Sequence, residues 1–119
     1  MTALTRLLGA ATALYSVVIM TRPQVLAKPC GLVEADGSVS PAVRTLVRGI
    51  GARDAAIGVA MLSAPTGPAL RVAVGARVAA DAADAAVFGL TLPDPRARKK
   101  VAAFAAFWAA LCAASVVRP

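Results

Sequence analysis

The chain has 119 residues, a formal net charge of +7 and 59% hydrophobic residues, whereas only 16% of its residues are charged. Average soluble domains hold about 25% charged and about 45–50% apolar residues even when glycine is counted, which excludes an ordinary globular protein. Aromatic residues make up 4% of the chain and do not alternate with the basic ones, so nucleic-acid binding is not expected. The length suits one domain, and a mean hydropathy of +0.73 indicates an integral membrane protein.

The first apolar segment, residues 3–20, predicts a membrane-spanning helix. Its one charge, Arg6, lies near an end, where a long basic side chain can reach the polar surface of the membrane. A cleaved signal peptide over residues 1–27 is the alternative, although no A-x-A cleavage site is present. The stretch that follows, residues 21–41, contains three prolines and the turn-like letters ADGS. We therefore predict a surface loop there, with a short interfacial helix at residues 23–28.

The second and third predicted spans are residues 42–63 and 69–92. Each is long enough to cross a hydrocarbon core of about 30 Å at about 1.5 Å per residue. Both contain charged residues near their centres, which makes each a weak span when taken alone. The letters SAPTGPAL between them form a short, rigid turn, so we predict that these two helices are antiparallel neighbours.

The fourth predicted span, residues 99–117, begins with two lysines and is free of charge from residue 101 onward. A basic cluster lies at its start, consisting of Arg96, Arg98, Lys99 and Lys100. Such a cluster is usually a topology signal, and binding of anionic lipid heads is a plausible second role. The four segments together predict an all-α fold, a four-helix transmembrane bundle that forms a single domain over residues 1–119.

Basic residues concentrate in the first and third connectors, which the positive-inside rule places in the cytoplasm. Both termini are then expected outside, in a multi-pass protein of a bacterial inner (plasma) membrane. The lipid bilayer is the expected partner, and a membrane protein or a second copy of the chain is a further possibility.

The letters GARVAADAADAA, residues 75–86, place three ionisable groups inside the third span. Arg77, Asp81 and Asp84 follow one another at i, i+4 and i+7, so they lie on one face of a helix. A lone charge at mid-bilayer costs about 2.5–3.5 kcal/mol on insertion scales, so each is expected to be paired.

The second span offers the opposite charges in Arg53 and Asp54, which are adjacent in the sequence. If the turn of the hairpin is centred on the connector, a residue of the second span and a residue of the third span lie at the same depth in the membrane when their numbers sum to about 132. This depth is defined to within about one helical turn. This places Arg53 within reach of Asp81, and also of Asp84, and places Asp54 within reach of Arg77. We therefore predict a charged pair network between the second and third spans.

Three roles remain open for this network. It can fix the register of the helices, as buried polar groups do in coiled coils. A surplus carboxylate, assigned to Asp84, can be protonated and lie on a proton or solute path. The charged groups can also hold a small polar ligand or a quinone head. Small residues should let the helices approach closely, and the predicted packing glycines are Gly49, Gly51, Gly58 and Gly75.

Signatures of catalysis are largely missing from the sequence. The chain has no histidine, the commonest general base and metal ligand, and no nucleophile elbow, P-loop or dinucleotide-binding motif. Asp54, Asp81 and Asp84 are too few and too neutralised to hold magnesium, so neither a metal nor a cofactor is expected. We therefore expect a non-catalytic accessory or structural membrane component. The alternatives are a small proton-linked transporter or carrier using Asp81 and Asp84, and a membrane redox partner of the quinone type.

The letters GARDAAIG and ARVAADAADAAVFG resemble a pattern in uncharacterised small four-helix membrane proteins of actinobacteria. That pattern reads G-x-R-[DE]-x3-G on the second helix and A-R-V-x-x-D-x-x-D on the third, and the resemblance covers residues 44–90. The positions that match it are Gly51, Arg53, Asp54, Gly58, Arg77, Asp81 and Asp84. Ala80 stands where the pattern has a glycine. The resemblance implies the four-helix fold and the polar interior, and no activity; a remoter likeness to DoxX-type proteins is one of architecture.

Overall fold

The computed structural model describes residues 2–117, which form five α-helices and no strand. The helices are α1 (Thr2–Thr21), α2 (Gln24–Ala27), α3 (Pro41–Ser63), α4 (Pro68–Thr91) and α5 (Pro95–Val117). The all-α prediction is confirmed, each predicted span corresponds to one long helix, and the short helix expected in the first loop is α2. Within the described residues, α1 and α5 are the two helices long and apolar enough to cross a membrane by length and composition.

Local sequence signals set where the long helices begin. Ser40 caps α3, because its side-chain oxygen accepts a hydrogen bond from the main-chain N–H of Val43, and Pro41 occupies the first turn. Gly67 precedes α4 with a φ of 115°, a conformation that favours glycine.

The start of α5 corrects the predicted boundary at residue 99. The helix begins at Pro95, because the preceding carboxylate of Asp94 accepts a hydrogen bond of 3.0 Å from the main-chain N–H of Arg96. The whole basic cluster is consequently part of the first turns of α5, whereas the predicted boundary left Arg96 and Arg98 before the helix.

The long helices associate chiefly as two pairs, α1 with α3 and α4 with α5. Contact between α3 and α4, the predicted neighbours, is much thinner. In the first pair, a Cβ added at Gly58 would lie 2.7 Å from the main-chain nitrogen of Ala13 and from the carbonyl oxygen of Gly9. A Cβ at Gly51 would lie 3.0 Å from the carbonyl oxygen of Ser16. The close approach that small residues permit is therefore made between α1 and α3.

This packing corrects the predicted set of packing glycines. Gly51 and Gly58 pack α3 against α1, whereas a Cβ added at Gly49 or Gly75 would meet nothing within 4 Å. Gly9 belongs to the contact and was not predicted. The sequence showed that small residues line these helices, but it did not show which neighbour covers each face.

The loop before α3 packs against one end of the bundle. Cys30 is buried there beside Leu92 and Ala97, which lie at the junction of α4 and α5. Burial raises the pKa of the Cys30 thiol, since it disfavours the thiolate. Cys30 and Cys112 are both free and buried, so each acts as a small apolar packing residue.

Several polar groups lie within an otherwise apolar core, and many large apolar groups lie on the outer surface. The buried polar and charged residues are Thr5, Thr12, Ser16, Arg77, Asp81 and Ser115. On the outer surface, Leu14 is 69% exposed, Leu46 68% and Leu90 78%. Buried charges combined with so many exposed large apolar side chains are unusual for a globular protein in water.

Replacing Gly58 with alanine would place a methyl group against main-chain atoms of α1. We expect the free energy of unfolding to fall by about 1–3 kcal/mol, the usual cost of overpacking, as measured by thermal unfolding in detergent micelles. Gly49→Ala is the matched control, because alanine in a helix interior is about 0.5–1 kcal/mol better than glycine and open space surrounds this position. Equal unfolding midpoints for the two variants would contradict the close contact.

Candidate functional site: an ion network beside an internal cavity

Arg77 is the centre of the charged network. Its side chain is only 2% exposed. The Nε and Nη2 atoms donate to the two carboxylate oxygens of Asp81, at 3.0 and 2.6 Å, one turn further along α4. The Nη1 atom lies 3.1 Å from Oδ1 of Asp54 on α3. Arg77 therefore neutralises one carboxylate on its own helix and reaches a second one on the neighbouring helix.

Arg53 makes the second set of bonds between α3 and α4. Its two terminal nitrogens donate to the two carboxylate oxygens of Asp84, at 3.2 and 2.7 Å, a bidentate arrangement. Its Nε donates to Oδ1 of Asp54 at 2.9 Å. The side chain of Arg53 is 39% exposed, so it lies at the edge of the bundle, and not inside it as predicted.

The structure thus brings all five predicted residues into one network and corrects some of the pairs. The predicted pair of Asp54 with Arg77 is present. Arg53 binds Asp84 and not Asp81, because Arg77 already occupies both oxygens of Asp81. Asp84 is therefore not an unpaired carboxylate.

The network carries a formal charge of −1, since two guanidinium groups face three carboxylates. Every nitrogen of the two guanidinium groups contacts a carboxylate oxygen. On the acceptor side, Oδ2 of Asp54 accepts no hydrogen bond from residues 2–117. The guanidinium groups are therefore already neutralised by carboxylates, while one carboxylate oxygen still has acceptor capacity.

A cavity of about 330 Å³ lies beside this network, with walls from all five helices. Asp54, Arg77, Asp81 and Asp84 form its polar side. The remaining wall is mostly apolar and aromatic, as is usual for pockets that bind small molecules. Its aromatic members are Tyr15, Phe88, Phe104 and Trp108.

Hydrogen bonds join α1 to α5 beside the cavity. The indole Nε1 of Trp108 donates to Oγ1 of Thr12 at 3.1 Å, and both residues line the cavity. Further toward the ends of the two helices, Oγ1 of Thr5 donates to Oγ of Ser115 at 2.9 Å. These polar contacts explain why threonine and serine are buried here.

The aromatic residues that line the cavity were not predicted from the sequence. The rings of Phe104 and Trp108 are stacked, with centroids 6.1 Å apart and planes at 14°. Their i, i+4 spacing on α5 was the available signal, since such residues share a helix face. Phe88 lies one turn beyond Asp84 on α4, but nothing in the sequence brings the rings of α5 to the same cavity as the charges.

The site offers a charged side and an aromatic side to a small molecule. Among residues 2–117, no group of three or more histidine, cysteine or acidic side chains is arranged to hold a metal ion. Comparisons with protein-family models, curated proteins and solved structures find no match to the chain. The resemblance to the actinobacterial membrane proteins stays a prediction, and the site is interpreted from its own geometry.

Replacing Arg77 by methionine should destabilise the protein more than the same change at Arg53. Loss of Arg77 leaves the carboxylates of Asp54 and Asp81 without a buried partner, for which we expect a cost of about 3–5 kcal/mol. Arg53→Met leaves Asp84 unpaired at a more exposed position, for which we expect about 1–3 kcal/mol. The measurement is thermal unfolding of both variants in the same detergent. A larger loss for Arg53→Met would show that the burial of Arg77 does not determine the stability of the network.

Proposed function

We propose that the chain is a four-helix integral protein of a bacterial inner membrane, a non-catalytic accessory or structural component. In it, the ion network holds the α1–α3 pair to the α4–α5 pair. The observation that carries this proposal is the combination of a buried ion pair, Arg77 with Asp81, and many large apolar residues on the outer surface. Hydrocarbon favours this distribution, since charged groups in membrane proteins face the bundle interior.

The outer face of α4 supports a membrane location even though the helix contains several charges. From Val72 to Thr91 every charged side chain of this helix is buried or half-buried. That stretch measures about 30 Å at about 1.5 Å per residue, which matches the hydrocarbon thickness. The charges that make α4 a weak span by composition therefore do not face the lipid in the proposed arrangement.

The basic residues support an orientation. Antiparallel packing brings the end of α1, the start of α3, the end of α4 and the start of α5 to one end of the bundle. The basic residues there are Arg22, Lys28, Arg44, Arg48, Arg96, Arg98, Lys99 and Lys100. The opposite end has Arg6 and Arg71, and residues 118 and 119 lie outside the described residues. The basic end is proposed to be cytoplasmic, where its exposed lysines and arginines can bind anionic lipid heads.

The network supports the structural role because it supplies most of the polar contact between α3 and α4. Arg53 reaches Asp84, and Arg77 reaches Asp54, each across the interface between the two helix pairs. Contact between these helices is otherwise thin. The ion pairs therefore specify how the two halves are joined, a use of buried polar groups that is well attested in coiled coils.

A small carrier that uses Asp81 and Asp84 is the second candidate. The observation that favours it is the cavity, which both of these carboxylates line. A carrier requires such an internal site for its solute. It would differ from a structural component in moving a solute across vesicles that contain the purified protein.

The proposed topology is tested with a reporter that is active only in the cytoplasm. Fusions after residue 36, in the first loop, and after Asp94 should be active, because the basic connectors are retained there. Fusions after Thr66 and after residue 119 should be silent. Activity after residue 119 would mean an odd number of spans or an inverted orientation. Activity at all four positions would mean that the chain does not span the membrane.

A further inference from the structure

The ion network that forms the polar wall of the cavity has one negative charge in excess. All nitrogens of Arg77 contact Asp81 or Asp54, and those of Arg53 contact Asp84 or Asp54. An anionic ligand would meet three carboxylates, beside guanidinium groups whose charge these carboxylates already neutralise. A neutral apolar ligand would leave the excess charge uncompensated in an apolar surrounding, which is costly.

The aromatic lining of the cavity suits a positive charge carried on a flat apolar body. Phe88, Phe104 and Trp108 all line the cavity, and the stacked pair of Phe104 and Trp108 provides an extended aromatic surface. Cations within about 6 Å of an aromatic ring are attracted by the negative face of the ring, most strongly by tryptophan. The cavity therefore combines a carboxylate side with an aromatic side.

We propose that this cavity binds one small lipophilic cation, a body of one or two rings that carries a single positive charge. The charge would balance the excess carboxylate, with Asp54 as its principal partner, because Oδ2 of Asp54 accepts no hydrogen bond from the described residues. The rings would pack against Phe104 and Trp108. A volume of about 330 Å³ is at the lower end of small-molecule sites, which measure about 300–1,000 Å³, and this limits the ligand to a small one.

The ligand can enter between α1 and α5. Ala11, Tyr15 and Phe104 line the cavity and are also exposed at the surface of the bundle. In the proposed membrane arrangement this opening faces the bilayer, where lipophilic cations accumulate. This inference goes beyond the structural role of the network, and it holds whether or not the protein moves its ligand across the membrane.

The test uses the para isomer of N-methyl-phenylpyridinium, a two-ring cation, and its uncharged isostere para-methylbiphenyl. Trp108 is the only tryptophan in the chain and lines the cavity, so its fluorescence reports occupancy. The cation should quench this fluorescence saturably in detergent, and the isostere should displace it only at about tenfold or higher concentration. Absence of saturable quenching by the cation would overturn the proposal. Equal affinity for the cation and the isostere would also overturn it, because it would indicate an apolar cavity without preference for charge.

Two variants locate the site. Asp54→Asn keeps an oxygen acceptor for Arg53 and Arg77 but removes the excess charge, so the affinity for the cation should fall about tenfold or more.

Ala11→Phe places a ring at the opening and should abolish quenching, whereas Leu14→Phe, on the exposed side of α1 away from the cavity, should leave it unchanged. Undiminished cation binding by both Asp54→Asn and Ala11→Phe would place the cation elsewhere. Because binding is measured in detergent, the result is independent of the reporter fusions that test the membrane topology.

Discussion

Two guanidinium groups and three carboxylates near the middle of α3 and α4 constrain the whole structure. None of the five can lie alone in an apolar surrounding, so each must have a partner across or along these two helices. Arg77 is the most constrained, since it is almost fully buried and binds carboxylates on both helices. The helices can therefore meet only in a register that keeps Asp54 and Asp84 within reach of the arginines.

The contact within the first helix pair differs in kind from the contact that joins the two pairs. Within the first pair, Gly9 and Gly58 let main chains approach closely, so that packing of small residues holds α1 to α3. Between the pairs, packing is thinner and the ion network joins α3 to α4. The cavity lies beside this network and is lined by residues of both pairs, Trp108 among them. The proposed structural and binding roles both depend on the same set of charges.

The sequence predicted the stripe of Arg77, Asp81 and Asp84 because helical periodicity alone determines which residues share a face. It named both Asp81 and Asp84 as partners for Arg53 and could not choose between them, because depth in a hairpin is known only to about a turn, and Asp81 and Asp84 lie within one turn of each other. The pairing of α1 with α3 could not be predicted, since alanine and glycine lie on every face of these helices. The cavity could not be predicted from the sequence either, because it is formed by side chains from five helices whose arrangement depends on that pairing.

The most direct test of the central claim exchanges the charges of Arg53 and Asp84. Arg53→Asp alone gathers four carboxylates around Arg77, and Asp84→Arg alone places a third guanidinium beside Arg53, so both single variants should lose folded yield in the membrane fraction. The double variant restores opposite charges between α3 and α4 and should recover most of that yield and of the thermal midpoint in detergent. A double variant no better than the worse single one would contradict the claim that this ion pair joins the two halves of the bundle.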